Sequence, residues 1–273
     1  MSAELDRLIQ WYPGHMAAAM RRVEQLIAMI DVIVEVVDAR VPHSGMSPVL
    51  KRISERRPRL IVLTRDDLAE PQTTVKWLMY FERIGQSAVA INAKESKSVK
   101  KIAAELQRLA KTRRSETQQR AIVVGIPNSG KSTVINVLCR RAVAATENRP
   151  GRTRGVQWFR IEPSLELMDT PGILAPKIES KQSQWMLAIT GAIPPQRYDP
   201  EEAIAHFTAW LKRHPARDGK IPDLSEFARS RGMAPRGSEG NLHNAARSYI
   251  KALNDGTFGR ISFEAPADDG KAA

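Results

Sequence analysis

The segment Gly125-Ile-Pro-Asn-Ser-Gly-Lys131-Ser132 constrains the fold of this chain more than any other feature. It follows the strand-like run 120–124 and leads into a helical pattern over 131–141. In this order, the N–H groups of the turn and the positive end of the helix dipole surround phosphate groups. Lys131 is expected to reach the β- and γ-phosphates, and the Ser132 hydroxyl to ligate Mg²⁺. The sequence therefore predicts a nucleoside triphosphate site that also uses Asn128, Ser129, Gly130 and Thr133.

The composition is that of a globular protein without a membrane segment. The 273 residues are enough for two domains, or for one domain with a large appendage. No apolar run approaches the roughly 20 residues that span a membrane, and the N-terminus has no signal-peptide pattern. The lone Cys139 excludes an internal disulfide framework, which fits a reducing compartment. We therefore expect a cytoplasmic protein that does not insert into membranes. Separately, we expect it to be a monomer.

The charge is strongly positive and unevenly distributed. The net charge is +12, and residues 94–120 carry nine Lys or Arg against three Asp or Glu. Residues 140–160 carry six against one. Such segments favour a polyanionic partner, and the scarcity of aromatic residues among them favours the backbone of folded RNA over stacked single strands. A basic surface that serves only solubility is the alternative.

Strands and helices alternate through the first two thirds of the chain. The apolar runs 31–37, 60–63, 87–91 and 121–124 are typical of buried parallel strands, with helices predicted at 14–30, 47–56, 71–84 and 99–109. Two antiparallel strands are predicted near 156–161 and 164–168. From about residue 190 only helices follow, at 202–213, 223–231 and 241–254. We predict an α/β domain over 1–180, a smaller all-helical C-terminal domain over 190–264 and a disordered tail over 265–273.

Two segments downstream of the phosphate loop point to a nucleotide switch. The second of the paired strands ends in Asp169-Thr-Pro-Gly172. Asp169 can hold a Mg²⁺-bound water there, and the Gly172 N–H can reach the γ-phosphate. The polar segment 150–155 contains Thr153, whose hydroxyl is expected to join the Mg²⁺ shell. An ordinary surface loop is the alternative for this segment.

Two upstream segments are suited to reading a guanine base. Thr64-Arg65-Asp66-Asp67 follows one predicted strand, and Asn92-Ala93-Lys94 follows the next. A carboxylate can accept two hydrogen bonds from the guanine N1–H and exocyclic amine, which adenine does not offer. The segments look like the N-K-x-D and S-A-K elements of GTPases. In ordinary GTPases these elements follow the phosphate loop, whereas here they precede it.

This order resembles the circularly permuted GTPases, and specifically the ribosome biogenesis GTPase A family. The similarity covers about residues 9–264 and includes the motifs WYPGHM at 11–16, VDARVP at 37–42, GIPNSGKS at 125–132, DTPGIL at 169–174, LAITGAI at 187–193 and GRISF at 259–263. The resemblance implies a circularly permuted P-loop GTPase fold. It also implies slow GTP hydrolysis and a role in late assembly of the large ribosomal subunit through rRNA contacts.

The guanine motif departs from the family pattern. Thr64 and Arg65 replace Asn and Lys, while Asp67, the specificity carboxylate, is retained. The stem and planar head of Arg65 are expected to cover the base. Thr64 lacks the amide by which Asn would link the guanine loop to the phosphate loop. We therefore expect guanine selectivity to remain but the affinity for the nucleotide to be weaker. Asn92 for Ser is conservative, because the backbone of Asn92, Ala93 and Lys94 would read the base oxygen.

Two residues are candidates for orienting the attacking water, because Ile173 stands where many GTPases carry a glutamine. His15 matches the family's proposed catalytic histidine, and an imidazole with an unperturbed pKa near 6.5 is mostly neutral at pH 7. Asn128 matches an asparagine that coordinates K⁺ in related GTPases. A packing histidine and a turn-forming asparagine are the respective alternatives. The expected cofactors are thus Mg²⁺ and, at Asn128, K⁺.

Three functions are compatible with these motifs. The first is a GTP-hydrolysing assembly factor whose nucleotide state controls its association with rRNA and the ribosome. The switch over 169–174 would act on the helical domain, because it leads directly into it. The second is a nucleotide-gated RNA-binding scaffold with incidental hydrolysis. The third is a phosphotransferase, which lacks a recognisable acceptor pocket.

Overall fold

The computed structural model describes residues 21, 24–47, 57–92, 95–111, 118–145, 158–162, 165–169, 178, 180–214, 221–233 and 239–267. These residues divide into two units. An α/β unit contains the described residues from 21 to 169 together with 264–267. A helical unit contains those from 178 to 263.

The α/β unit is built on one six-stranded sheet. Its strands are β1 (Val32–Asp38), β2 (Arg59–Thr64), β3 (Ser87–Ala90), β4 (Gln119–Val124), β5 (Trp158–Glu162) and β6 (Leu165–Asp169). Their order across the sheet is β3-β2-β1-β4-β6-β5. All neighbouring pairs are parallel except β5 and β6. The predicted parallel α/β sheet with one antiparallel pair is therefore confirmed.

Helices cover both faces of this sheet. They are α1 (Pro42–Gly45), α2 (Pro71–Arg83), α3 (Ser96–Lys111) and α4 (Lys131–Ala145). Every residue of β1 is buried, as expected for a central parallel strand. On one face Ile102 and Leu138 share a buried cluster with Val34 and Val62. On the other face a buried cluster forms around Trp77 and Phe81 of α2.

Two predicted helices lie largely outside the described residues. Of the helix predicted at 14–30, Arg21 and residues 24–26 are described and helical, and Ile27–Met29 forms a 3₁₀ turn. Of the helix predicted at 47–56, only Ser47 is described, and it is not helical.

The carboxyl ends of five strands meet at one edge of the sheet. Asp38 at the end of β1 is in register with Thr64 at the end of β2, and Leu63 pairs with Ala90 of β3. On the other side Val123 of β4 pairs with Asp169 at the end of β6. In open α/β sheets ligands bind outside this edge. The sheet therefore brings together the segments that the sequence assigned to a nucleotide.

The helical unit comprises α5 (Lys181–Ile189), α6 (Pro200–Lys212), α7 (Leu224–Ser230) and α8 (Glu239–Asn254). The three predicted C-terminal helices agree with α6, α7 and α8. Phe207 lies at the centre of an aromatic core, with rings packed around it from Trp210, Tyr249 and Phe263. Helix α5 was not predicted, because its residues 185–189 are all buried and leave no polar face to mark a helical period.

The chain returns from the helical unit to the α/β unit at Glu264. The Glu264 carboxylate accepts hydrogen bonds from the backbone N–H groups of His43, at 2.7 Å, and Ser44, at 3.1 Å. The Trp77 indole donates to the Glu264 carbonyl at 3.3 Å. Residues 266 and 267, which belong to the tail predicted as disordered over 265–273, line a cavity together with Lys76 and Met79 of α2. Residues 268–273 lie outside the described part.

Candidate nucleotide site at the carboxyl edge of the sheet

The phosphate loop lies between β4 and α4 and adopts the conformation its glycines allow. Asn128 has φ 58° and Gly130 has φ 97°, both in the left-handed region. A Cβ at Gly125 would lie 2.4 Å from the Val36 carbonyl oxygen, so only glycine fits where the loop passes β1. The turn-forming role considered for Asn128 is thus seen directly, because asparagine tolerates a left-handed φ.

Lys131 is the buried cation of this loop. Its Nζ donates to the carbonyl oxygens of Ile126, at 2.8 Å, and Gly125, at 3.2 Å. Burial lowers the pKa of the Lys131 ammonium to about 8, although the negative charge of Asp169 opposes the shift. The positive charge of this buried ammonium is thus met by two neutral carbonyl groups and by the charge of Asp169, which does not offset the cost of burial. An arriving phosphate would offset this cost.

Thr64 ties the end of β2 to the phosphate loop. Its hydroxyl donates to the Ser129 carbonyl oxygen at 2.6 Å, and it lies 3.2 Å from the Val37 carbonyl oxygen. A Cβ at Gly130 would approach the Thr64 side chain at 3.3 Å. The expectation that Thr64 gives up the tie between the two loops is therefore wrong. A hydroxyl suffices here because the loop backbone comes within direct reach of β2.

Arg65 also reaches the phosphate loop. Its Nη2 donates to the Asn128 carbonyl oxygen at 3.0 Å, and its Nη1 donates to Asp38 Oδ2 at 2.9 Å. The planar head, which was expected to cover the base, is engaged by these two partners. Any cover for the base would fall to the aliphatic stem of Arg65 unless these bonds break.

We expect Thr64→Val to loosen the nucleotide site. Valine keeps the shape of threonine but cannot donate to Ser129, so a buried carbonyl loses a partner at a cost of about 1–3 kcal/mol. The dissociation rate of a fluorescent GDP should rise about tenfold, with a lower Tm. Thr64→Ser, which keeps the hydroxyl, is the matched control. Equal dissociation rates for the valine variant and the wild type would contradict the role of this bond.

The two guanine-type segments lie side by side. The Asp66 N–H donates to the Ile91 carbonyl oxygen at 3.3 Å, and the Ile91 N–H donates to Leu63 at 2.8 Å. Asp67 and Asn92 are half-buried, and Asn92 Nδ2 donates to Glu95 at 3.2 Å. Ala93 and Lys94 lie outside the described residues. The structure thus joins the loop of Asp67 to the second segment through backbone bonds, and to the phosphate loop through Thr64 and Arg65.

Oxygen donors suited to Mg²⁺ lie at the same edge. Ser132 is exposed at the start of α4, and Asp169 is half-buried at the end of β6. Asp169 is close enough to Lys131 to raise its pKa. A hydroxyl and a carboxylate are hard oxygen ligands of the kind Mg²⁺ selects. The other predicted catalytic or metal residues, His15, Thr153 and Gly172, lie outside the described residues.

Asp38 and Arg40 belong to this edge, and the sequence assigned them no role. Both are buried, and Arg40 Nη2 donates to Asp38 Oδ2 at 2.8 Å. Burial would raise the pKa of Asp38, but the charges of Arg40 and Arg65 and the bonds from Arg40 hold it below its ordinary 3.8. The sequence did contain a signal for this pair, because an aspartate stands at the end of a fully buried strand and an arginine follows two residues later.

A phosphate loop joined to guanine-type segments that precede it in the chain defines a circularly permuted P-loop GTPase fold. Residues 120–194 match the family described as 50S ribosome-binding GTPase. The described residues contain no helix long and apolar enough to cross a membrane.

Full-length relatives agree with this class. The chain is 35% identical to ribosome biogenesis GTPase A of Bacillus cereus, covering 97% of this chain and 96% of the relative. It is 31% identical to the Thermotoga maritima protein of the same name, covering 95% of each. The solved structure of GNP-bound YlqF from T. maritima superposes with a TM-score of 0.71 at 28% identity, covering 92% of this chain and 99% of that one. The chain belongs to the ribosome biogenesis GTPase A family, and it is a GTPase that hydrolyses GTP to GDP and phosphate.

Proposed function

We propose that this GTPase acts in the cytoplasm in late assembly of the large ribosomal subunit, and that its nucleotide state controls its association with rRNA. The observation that carries the proposal is the junction of the Asp67 loop with the phosphate loop through the Thr64–Ser129 bond of 2.6 Å. This junction couples base recognition to phosphate binding in one site. The names of the full-length relatives supply the ribosomal context.

Asp67 is proposed to select guanine. Its loop follows β2 and is bonded through Asp66 and Ile91 to the segment beginning at Asn92. A carboxylate on such a loop can accept from both guanine donors, and a backbone N–H of residues 92–94 can meet the base oxygen. Adenine would leave these groups unpaired, which is the strongest form of discrimination available to a binding site.

We expect Asp67→Asn to reverse the base preference. The amide replaces one acceptor with a donor, so the affinity for GTP should fall by about 100-fold or more. Xanthosine triphosphate carries an oxygen in place of the guanine amine, so the variant should bind it more tightly than the wild type does. Titrations with fluorescent forms of both nucleotides measure this exchange. Neighbouring Asp66→Asn is the matched control. Retained GTP affinity in Asp67→Asn would contradict the assignment.

Mg²⁺ is proposed to bind through Ser132, with Asp169 acting on a bound water and Thr153 completing the shell. When bound, Mg²⁺ neutralises charge that develops on the phosphates. Lys131 and the loop N–H groups supply the remaining positive field, and Gly172 would contact the γ-phosphate.

His15 is proposed to orient the attacking water, and Asn128 to hold K⁺. Faster turnover in KCl than in NaCl would support the K⁺ assignment, and equal rates would reject it.

The exposed face of α3 is the proposed RNA contact of the α/β unit. Lys100, Lys101 and Arg108 are exposed, while Ile102 and Leu106 are buried against the sheet. The acidic Glu105 on this helix is paired with Arg108 at 2.6 Å. The face therefore presents the positive charge of Lys100 and Lys101 to solvent, which suits phosphate contacts that position a protein without reading sequence.

Co-sedimentation with large-subunit particles tests the proposal. Association should be stronger with a non-hydrolysable GTP analogue than with GDP, and particles should accelerate GTP turnover. The charge variant Lys100→Glu/Lys101→Glu should weaken association in both nucleotide states. Equal association with GDP and the analogue would reject nucleotide control. Nucleotide-dependent binding without accelerated turnover would favour the scaffold alternative.

A further inference from the structure

Asp38 is a buried carboxylate that holds two arginines at the edge of the nucleotide site. Its side chain is 4% exposed. Arg40 donates to it from Nε at 3.0 Å, from Nη2 at 2.8 Å and from its backbone N–H at 3.0 Å. Arg65 adds a fourth bond at 2.9 Å from Nη1. The low pKa of Asp38 keeps this carboxylate ionised throughout the neutral range.

Arg65 connects this carboxylate to the phosphate loop. Its guanidinium gives one N–H to Asp38 and another to the Asn128 carbonyl oxygen, at 2.9 and 3.0 Å. The planar fork of arginine suits such a bridge because its donors point in fixed directions, whereas a lysine ammonium is a single point of contact. The bridge runs from the end of β1 to the middle of the loop.

Both loop residues in the bridge have unusual backbone conformations. Arg65 has φ 56° and Asn128 has φ 58°, and they are the non-glycine residues with positive φ in the described part of the chain. Such conformations persist where surrounding contacts determine them, and they cluster at functional sites. Here the contact between the two residues is one of those that hold them.

We propose that Asp38 is a positioning residue for GTP binding, which acts through Arg65 to fix the carbonyl of Asn128 and with it the shape of the phosphate loop. In this chain Arg65 therefore supports the phosphates rather than the base. This arrangement takes the place of the Asn-Lys pair in the usual guanine motif, together with the Thr64–Ser129 bond. In this proposal Asp38 acts through Arg65 and not by binding the nucleotide directly.

A positioning role has a particular kinetic signature. Without the bridge, the loop occupies its binding-competent shape for a smaller fraction of the time, and the apparent dissociation constant rises in inverse proportion to that fraction. Once GTP is bound, the loop is held by the phosphates. Loss of Asp38 should therefore raise KM about tenfold and leave kcat within about threefold, as for a lost charge-assisted hydrogen bond.

The decisive experiment compares Asp38→Asn in two backgrounds. One is the natural Thr64-Arg65 pair, and the other is the variant Thr64→Asn/Arg65→Lys. The contact of Asp38 with Arg40 is common to both, so any general loss of stability cancels in the comparison. We expect KM to rise about tenfold in the natural background and less than about twofold in the other. Equal increases in the two backgrounds, or an effect confined to kcat, would overturn the proposal.

A second variant keeps the test informative if Asp38→Asn fails to fold. Arg65→Ala leaves the Asp38–Arg40 pair intact, so it should give the same rise in KM with a smaller fall in Tm than Asp38→Asn. Arg83→Ala, an exposed arginine on α2 beside the Tyr80 ring, is the control and should leave KM unchanged. An Arg65→Ala enzyme with the KM of the wild type would refute the bridge.

Discussion

Replacing Lys131 with methionine is expected to lower GTP affinity by roughly 30- to 5,000-fold and to abolish measurable turnover, the range typical of truncating one partner of a buried charge pair. The ammonium is buried at the start of α4, where it donates to the carbonyl oxygens of Gly125 and Ile126. Methionine fills similar space but brings no charge to the phosphates. Fluorescent-nucleotide titration and single-turnover hydrolysis measure both effects.

The Tm of the same variant should rise or stay unchanged, although its GTP affinity falls. Burial disfavours the charged form of Lys131, as its lowered pKa shows, so an apolar side chain removes a desolvation cost. A Lys131→Met protein with a Tm equal to or above that of the wild type, and without GTP binding, is the expected pair of results. A large fall in Tm would mean that the lysine mainly supports the loop.

The Lys131 pKa also predicts a pH dependence of binding. In the free protein its pKa is about 8, and bound phosphates stabilise the charged form and raise it. GTP binding should therefore take up protons above pH 8, and GTP affinity should fall as the pH rises from 7.5 to about 9.5. Isothermal titration in buffers of different ionisation enthalpy detects the uptake. Constant affinity across this window would contradict the shifted pKa.

Replacing Arg59 with alanine is expected to destabilise the α/β unit by about 3–5 kcal/mol at pH 8, because it leaves the carboxylate of Glu35 buried without its partner. Glu35 lies in the middle of β1 with a fully buried side chain, and Arg59 Nη1 donates to it at 2.9 Å. The Ser47 N–H provides a second bond at 2.9 Å. Thermal or denaturant unfolding measures the loss.

The loss should depend on pH with a defined sign. Burial already raises the pKa of Glu35 above its ordinary 4.5, and removing Arg59 takes away the charge that opposes the rise. When the pKa of a carboxyl is higher in the folded protein than in the unfolded chain, the group stabilises the folded state fully at a pH below its unfolded pKa. This stabilisation is lost as the pH rises through the folded pKa. Arg59→Ala should therefore cost less at pH 5 than at pH 8. The double variant Glu35→Gln/Arg59→Ala should remove this difference, and a cost independent of pH in the single variant would contradict it.

The fold and the phosphate site were predictable because their signals are contiguous in the chain. The loop from Gly125 to Ser132 carries its own turn, dipole and cation, whatever surrounds it. The apolar run of β1 and the spacing of strands and helices fixed a parallel sheet in advance, and parallel strands place their carboxyl ends at one edge. Asp67 and Asp169 were predicted to follow strands, and the ends of β2 and β6 bring both to that edge.

The contacts between segments that are distant in the chain were harder to predict from the sequence. Thr64 was expected to weaken the site, yet its hydroxyl donates to Ser129, which is 65 positions away in the chain. Arg65 was expected to lie over the base, yet Asp38 and Asn128 engage its head. Asp38 appeared only as part of a motif. In each case the residue type allowed several partners, and strand order decided which one came within bonding distance.

The sequence by itself determined that this chain binds nucleotide on a parallel sheet, because local backbone geometry and the alternation of apolar residues do not depend on distant partners. Only the tertiary structure decided how the guanine loop is fastened to the phosphate loop and that Glu264 returns to Ser44 across 220 positions. A hydrogen bond needs two groups within about 3 Å and in line, and for groups far apart in the chain only the packed fold sets that distance.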